Sequence, residues 1–188
     1  MIMHETPIFP LFLALRGRRV IVVGGGEVGA HKARELIDVG ARVTIVDPHP
    51  GEEARALVGA TIVPRDFRPS DLDDAWLVVA ATNDRATNAA VSNAADARRM
   101  LCNAVDDPEH CSAYFASVVR RPPLTVAISS TGEAPALTRL LREIFEQILP
   151  SDDWIDRARA LRRRWRAERT PMRSRFGELV RAFAERAG

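Results

Sequence analysis

Two kinds of residue in this chain could do chemistry: glycines spaced to admit a phosphate, and carboxylates placed where strands should end. Gly24, Gly26 and Gly29 fill a G-x-G-x-x-G frame inside Val22-Val23-Gly24-Gly25-Gly26-Glu27-Val28-Gly29. In that frame the first glycine turns the chain, the second leaves no Cβ between backbone and pyrophosphate, and the third lets helix and strand pack closely. The helix that follows would aim free N–H groups and its positive dipole end at the phosphates. Asp47 stands 18 residues after Gly29, near the roughly 20-residue offset of an acid that holds the ribose 2′-hydroxyl. A carboxylate there repels the additional phosphate of NADP, so the expected dinucleotide is NAD.

The second candidate is Asp106, within Cys102-Asn103-Ala104-Val105-Asp106-Asp107-Pro108. At a strand end beside the expected nicotinamide, it could accept a proton while hydride leaves, or strip protons from a ligand that takes up a metal. Asp106 or Asp107 could instead shape a turn ahead of Pro108, and spacing alone favours the turn. Thr82 and Asn83 fall at another strand end. Cys102, His110 and Cys111 fit no zinc spacing and have no fourth ligand nearby, so no resident metal is expected. His31 reads as a packing or surface residue of the first helix. No nucleophile–base–acid set and no Walker loop is visible in the sequence.

The elements that must position these residues read as alternating strands and helices. Strands are expected at 19–23, 42–46, 60–63, 76–82 and 100–105, with helices at 27–39, 52–57, 69–74 and 87–99. That alternation predicts a Rossmann-type, doubly wound parallel sheet of the α/β class, whose ligands lie outside the carboxyl ends of the strands. Gly24–Gly29, Asp47, Thr82–Asn83 and Asp106 all fall there. After residue 112 the pattern changes to a hairpin, 114–120 and 124–129, joined by Arg121-Pro122-Pro123. The polar loop Ser129-Ser130-Thr131-Gly132 leads into a helix over 136–149, with Leu137, Leu140, Leu141, Ile144, Phe145 and Ile148 along one side. A hairpin and one helix bury too little alone, so pairing across a two-fold axis is expected. The last 38 residues read as two helices broken at Thr170-Pro171, with Trp154, Ala158, Leu161 and Trp165, then Phe176, Leu179 and Phe183, at helical spacing.

The 188 residues, 46% of them hydrophobic, with a mean hydropathy of -0.12, fit a soluble protein of one full domain and a smaller addition. No apolar run approaches the ~20 residues of a membrane span. Pro7 and Pro10 interrupt a short apolar lead-in that lacks a basic leader, unlike a signal peptide. Two cysteines are too few for a disulfide framework, which points to a reducing cytoplasm. Residues 1–150 carry 16 basic against 19 acidic side chains, net -3, whereas 151–188 carry 11 arginines against six acids, net +5. The contrast marks a boundary near Pro150 and suggests either a solvated basic face or an anionic partner. The arginines lack interleaved aromatics for stacking, so nucleic acid is not expected. The domains are therefore drawn at 1–112, 113–150 and 151–188.

In order and spacing, several segments resemble the precorrin-2 dehydrogenase family, which also forms the N-terminal part of siroheme synthase. They are Pro7-Ile8-Phe9, Val22–Gly29, Lys32-Ala33, Ala80-Ala81-Thr82-Asn83-Asp84, Cys102–Asp106, Val126–Gly132, Pro135-Ala136-Leu137 and Leu141-Arg142. The resemblance spans about 5–150; the tail matches only as a small helical domain. It implies a homodimer whose hairpin-and-helix regions interlock, and NAD-dependent oxidation of precorrin-2 to sirohydrochlorin in siroheme synthesis. It also implies Asp106 as the catalytic aspartate and Glu27, Val28, Asp47, Pro48 and His49 as NAD contacts. Ser129, Ser130, Thr131 and Gly132 would line the tetrapyrrole site. Some members also insert Fe²⁺ with the same aspartate. Arg120, Arg121 and the tail arginines would suit a substrate rich in carboxylates. The chain stops at 188, without the methyltransferase domain of the longer siroheme synthases, so neither precorrin-2 synthesis nor use of S-adenosylmethionine is expected. Two rivals are a non-catalytic NAD-sensing module and a chelatase that has lost the redox step; the hairpin and serine loop would be superfluous in the first.

Overall fold

The computed structural model describes residues 8–149 and 152–184. Pro7 of the lead-in and the charge boundary at Pro150 lie outside the described residues. Contacts divide the chain into two compact units, Met1–Phe115 and Ala116–Gly188.

The first unit is built on β1 (Arg19–Val23), β2 (Arg42–Val46), β3 (Ala60–Val63), β4 (Leu77–Ala80) and β5 (Leu101–Ala104). They form one parallel sheet in the order β3-β2-β1-β4-β5. The chain winds outward from β1 to β3 and then returns to lay β4 on the other side of β1. That reversal opens a crevice at the carboxyl ends of β1 and β4. The central strands are apolar on both faces because both faces are covered. Val20 and Val22 pack with Ala30, Ala33 and Leu36 of α1 (Glu27–Asp38). Ile21 and Val23 pack with Val91, Ala94 and Ala95 of α3 (Arg85–Asp96). The period of two in the strand thus sends alternate residues into two separate cores.

Chain punctuation follows local chemistry. Gly40, at φ +82°, ends α1; its N–H donates to Ile37 O at 2.8 Å and the Ala41 N–H to Leu36 O at 3.1 Å, the paired bonds of a Schellman turn. α3 starts two residues ahead of the sequence expectation because Asp84 caps it, accepting from Ala86 N at 3.2 Å and Thr87 N at 3.1 Å. The helix expected over 52–57 is a single turn, α2 (Glu52–Arg55), and that at 69–74 is a 3-10 turn, Pro69–Leu72.

In the second unit β6 (Ser117–Arg121) and β7 (Leu124–Ile128) form an antiparallel hairpin closed at Pro122-Pro123. Helix α4 (Pro135–Ile148) packs on both strands. Its apolar residues do not all share one environment. Thr138 is buried and Leu141 and Phe145 half-buried, whereas Leu137, Leu140, Ile144 and Ile148 remain 42–64% exposed. α5 (Asp152–Ala167) and α6 (Met172–Ala184) follow. Ile155, Leu161 and Trp165 are buried on α5, while Trp154 stands at its edge and stacks on Phe183 with ring centroids 4.3 Å apart. Trp165 Nε1 and Arg164 both donate to Glu178 at 2.7 Å, tying α5 to α6. No helix among the described residues is long and apolar enough to cross a membrane.

Candidate active site

A cleft of about 580 Å³ opens at the carboxyl edge of the parallel sheet. The sheet register explains its floor. Val23 is level with Val46 and Ala80, and Ala80 with Ala104, so the residues just beyond them emerge side by side. These are Gly24, Asp47, Ala81 and Val105. The ladder runs one bond further, with Gly24 N donating to Val46 O at 3.0 Å, Ala81 N to Val23 O at 2.8 Å and Val105 N to Ala80 O at 2.9 Å. The cleft floor is therefore backbone fixed by the sheet.

The glycines separate into two kinds. A Cβ on Gly24 would stand 2.4 Å from Ala81 O, and one on Gly29 would stand 1.9 Å from Gly24 O. Those two are required by the protein's own packing. A Cβ on Gly26 would meet nothing within 4 Å, and its backbone is ordinary at φ -73°. Gly26 lines the cleft as the N-cap of α1 and offers no side-chain cap. The first-turn amides of a helix have no partners within it, so the cleft presents donors and a positive dipole end with no Cβ in front of them. That arrangement fits a pyrophosphate.

Asp47 is held in place by the loop it faces. Its Oδ2 accepts from Gly25 N at 2.5 Å and its Oδ1 from His49 N at 2.6 Å. Each carboxylate oxygen keeps a further lone pair, so the group can still receive a ribose hydroxyl. Thr82 is locked to buried Asn88: its N–H and Oγ1 lie 3.2 and 2.7 Å from Asn88 Oδ1, and Asn88 Nδ2 donates to Thr82 O at 2.9 Å. This leaves Asn83 projecting from the strand end into the cleft.

The two adjacent aspartates have different surroundings. Asp107 shapes the turn: its Oδ2 is 2.9 Å from His110 Nδ1. Hydrogen bonding to His110, with the field of Arg85 adding to it, holds the Asp107 carboxyl below the usual carboxylate range. Asp106 is exposed in the cleft at φ +57°, a left-handed conformation that aspartate tolerates better than most residues. Its carboxylate has no hydrogen-bond or ion-pair partner among the described residues. The cysteines are structural: Cys111 Sγ donates to Ala104 O at 2.9 Å, and burial pushes the Cys102 thiol up to about 11, far from a reactive thiolate.

Of the residues expected from the sequence, Gly24, Gly26, Glu27, Val28, Asp47, His49, Thr82, Asn83 and Asp106 line this one cleft. Gly29 lies behind it, in the helix–strand contact, and Pro48 is not in its wall. Arg85, Asn88 and Asp107 also line it. Asn88 could have been found as a polar residue three positions before Val91, on the inward side of its helix. Ser129–Gly132 form a self-bonded turn in the second unit. Ala134 N donates to Ser130 Oγ at 3.1 Å and Thr131 N to Ser129 Oγ at 3.2 Å. Arg120 is exposed, whereas Arg121 donates to Leu149 O at 2.9 Å, bracing the hairpin against the end of α4.

Residues 11–117 match the model of a family described as "Putative NAD(P)-binding". The chain belongs to that family. Behind it, residues 115–148 match the "Sirohaem biosynthesis protein central" family, a stretch that holds the hairpin, the serine loop and α4. The chain is 50% identical over 144 residues to siroheme synthase 1 of Aeromonas hydrophila, covering 75% of the chain and 31% of that protein. It is 44% identical over 181 residues to siroheme synthase of Sodalis glossinidius, covering 95% and 38%. It thus spans about a third of the length of the curated relatives it matches. A solved structure of "SirC, precorrin-2 dehydrogenase" superposes with a TM-score of 0.69 at 23% identity, over 93% of this chain and 88% of that one; that likeness is one of fold. The family resemblance drawn from the motifs is borne out.

Proposed function

We propose that the chain is an NAD-dependent dehydrogenase that oxidises precorrin-2 to sirohydrochlorin, acting as a homodimer in the cytoplasm. The observation that carries this reading is the free carboxylate of Asp106. It lies in the same cleft as the glycine loop, in a chain that continues into a sirohaem-type central segment. Gly24, Gly26, Glu27, Val28, Asp47, His49, Thr82 and Asn83 would hold the dinucleotide, and Ser129–Gly132, with Arg120 and Arg121, the tetrapyrrole. NAD, when bound, supplies the acceptor for the hydride. Asp106 takes the accompanying proton from the macrocycle and passes it to water, so the substrate loses two electrons and two hydrogens in total. The remaining work is orientation, which the sheet-fixed cleft floor provides.

Residues 113–150 would form the dimerisation and tetrapyrrole region and 151–188 a small helical domain. The uncovered apolar side of α4 supports the dimer, since an exposed stripe of this kind marks an interaction surface. The two free thiols, Cys102 and Cys111, suit a reducing compartment. Fe²⁺ enters only as a substrate: its insertion into sirohydrochlorin expels two ring protons, which Asp106 can receive one at a time, passing each to water. Mixing the purified chain with NAD and precorrin-2 and following the absorption spectrum tests the reading. Growth of the sirohydrochlorin spectrum with NADH is expected. NAD uptake without any spectral change would mean a sensor, and metal insertion without redox turnover a chelatase.

A further inference from the structure

Arg85 is the only Lys or Arg among the residues lining the cleft, and folding does not account for it. It is the first residue of α3, where the positive end of the helix dipole disfavours a guanidinium. The capping there is done by Asp84. Arg85 is exposed and makes no hydrogen bond or ion pair with the described residues. Four carboxylates, those of Glu27, Asp47, Asp106 and Asp107, line the same cleft. A polyanion entering it would be repelled unless a cation met it.

The strand order places that cation. Along the carboxyl edge, Asp47 follows β2, the glycine loop follows β1, Arg85 follows β4 and Asp106 follows β5, with β2, β1, β4 and β5 adjacent in that sequence. The ribose acid and the phosphate cradle occupy the β2 and β1 positions. Arg85 stands beyond them, on the side of Asp106, and its field is felt at Asp107. The phosphates already have the amides of α1, whereas a macrocycle held against Asp106 brings a rim of carboxylates with no other cation in the cleft wall. We propose that Arg85 binds a peripheral carboxylate of the tetrapyrrole and thereby sets the ring against Asp106. This rests on the dehydrogenase reading above and deepens it. A guanidinium suits the task because its planar fork meets a carboxylate with two parallel bonds.

The test is steady-state kinetics of the full chain with NAD and precorrin-2, alongside calorimetric titration of NAD. Arg85→Ala should raise KM for precorrin-2 by about tenfold or more, the scale of a lost charge-assisted pair, with kcat changed less than about threefold. Its Kd for NAD should match that of the unaltered chain, which also certifies the fold of the variant. Arg85→Lys should recover part of the loss, keeping the charge without the fork. An unchanged KM in Arg85→Ala overturns the assignment. So does a weakened Kd for NAD with an unchanged KM, which would make Arg85 a phosphate ligand. If the unaltered chain leaves precorrin-2 untouched, the dehydrogenase reading falls first and the assignment falls with it; turnover by the unaltered chain with an indifferent variant sinks the assignment alone.

Discussion

Asp106 and Asp107 are neighbours in sequence and opposites in structure. Asp107 is tied to His110 at 2.9 Å, while Asp106, at φ +57°, projects unpartnered into the cleft. Backbone strain at a non-glycine residue persists only where the surroundings over-determine it, and it clusters at functional sites. Asp106→Ala should therefore leave the affinity for NAD intact and slow precorrin-2 oxidation by about 100-fold or more, the range of a lost general base. Asp107→Asn should cost far less turnover, because its carboxylate works on the turn. Normal turnover of the Asp106 variant would remove that residue from the mechanism.

The two kinds of cleft glycine can be separated by experiment. Gly29→Ala forces a Cβ to 1.9 Å from Gly24 O and should lower unfolding free energy by about 1–3 kcal/mol, as overpacking does. Gly26→Ala meets no protein atom within 4 Å and should leave urea unfolding of the ligand-free chain nearly unchanged. It should instead weaken NAD binding, measured by calorimetry, because its methyl group stands where the pyrophosphate would lie. A stable Gly29→Ala or an NAD-indifferent Gly26→Ala would contradict the division.

Much of the first unit was legible because strand, turn and helix signals there agree with one another. The run Val20–Val23 into Gly24 announced a buried strand and its turn, and periodicity placed α1 and α3. The cleft was legible through register: residues at strand ends must emerge side by side once the sheet is parallel. What spacing could not decide was which of Asp106 and Asp107 is free, because that depends on where the His110 ring falls. Nor could it show that Arg121 donates to Leu149 O, since hairpin and helix are linked only by tertiary packing. The apolar residues of α4 looked like one stripe in sequence. In space they divide between the hairpin and an uncovered side, a division that helical periodicity alone does not make.

Asp47 bears on cofactor choice. Its oxygens already receive Gly25 N and His49 N, which holds the carboxylate at the end of β2, and under the proposed NAD role it would face the ribose and repel a 2′-phosphate. The chain should favour NAD over NADP by at least about tenfold in Kd, the scale of one unfavourable charge contact in a cleft. Asp47→Asn should narrow that ratio by weakening NAD and relieving the repulsion of NADP. Equal binding of both cofactors by the unaltered chain would dismiss the role.

Asp71 links pH to stability in the first unit. It is buried, receives Arg65 Nη1 and Arg68 N at 2.8 Å each, and the Arg65 guanidinium holds its carboxyl below the ordinary range. A carboxyl lowered on folding contributes stability above its unfolded value, near pH 3.9, and loses it as pH falls through the lower folded value. Asp71→Asn should thus be about 1–3 kcal/mol less stable at pH 7, with the two unfolding curves converging once pH has fallen through the lowered folded value. Parallel pH profiles for variant and unaltered chain would refute the coupling.

The uncovered side of α4 makes the dimer testable without touching the cleft. Leu137, Leu140, Ile144 and Ile148 recur at three- and four-residue spacing and are all exposed in the single chain, while Thr138 on the other side is buried. A helix that is apolar on a side its own unit does not cover needs a partner to cover it, and a second copy presents the same stripe, as a two-fold interface requires. Light scattering at micromolar concentration should give the mass of a dimer for the unaltered chain. Ile144→Glu, which would bury a charge opposite its own symmetry mate, should give the mass of a monomer. Because the cleft is lined entirely by residues of the first unit, the monomeric variant should keep its affinity for NAD. A monomeric mass for the unaltered chain would remove the two-fold interface from the proposal.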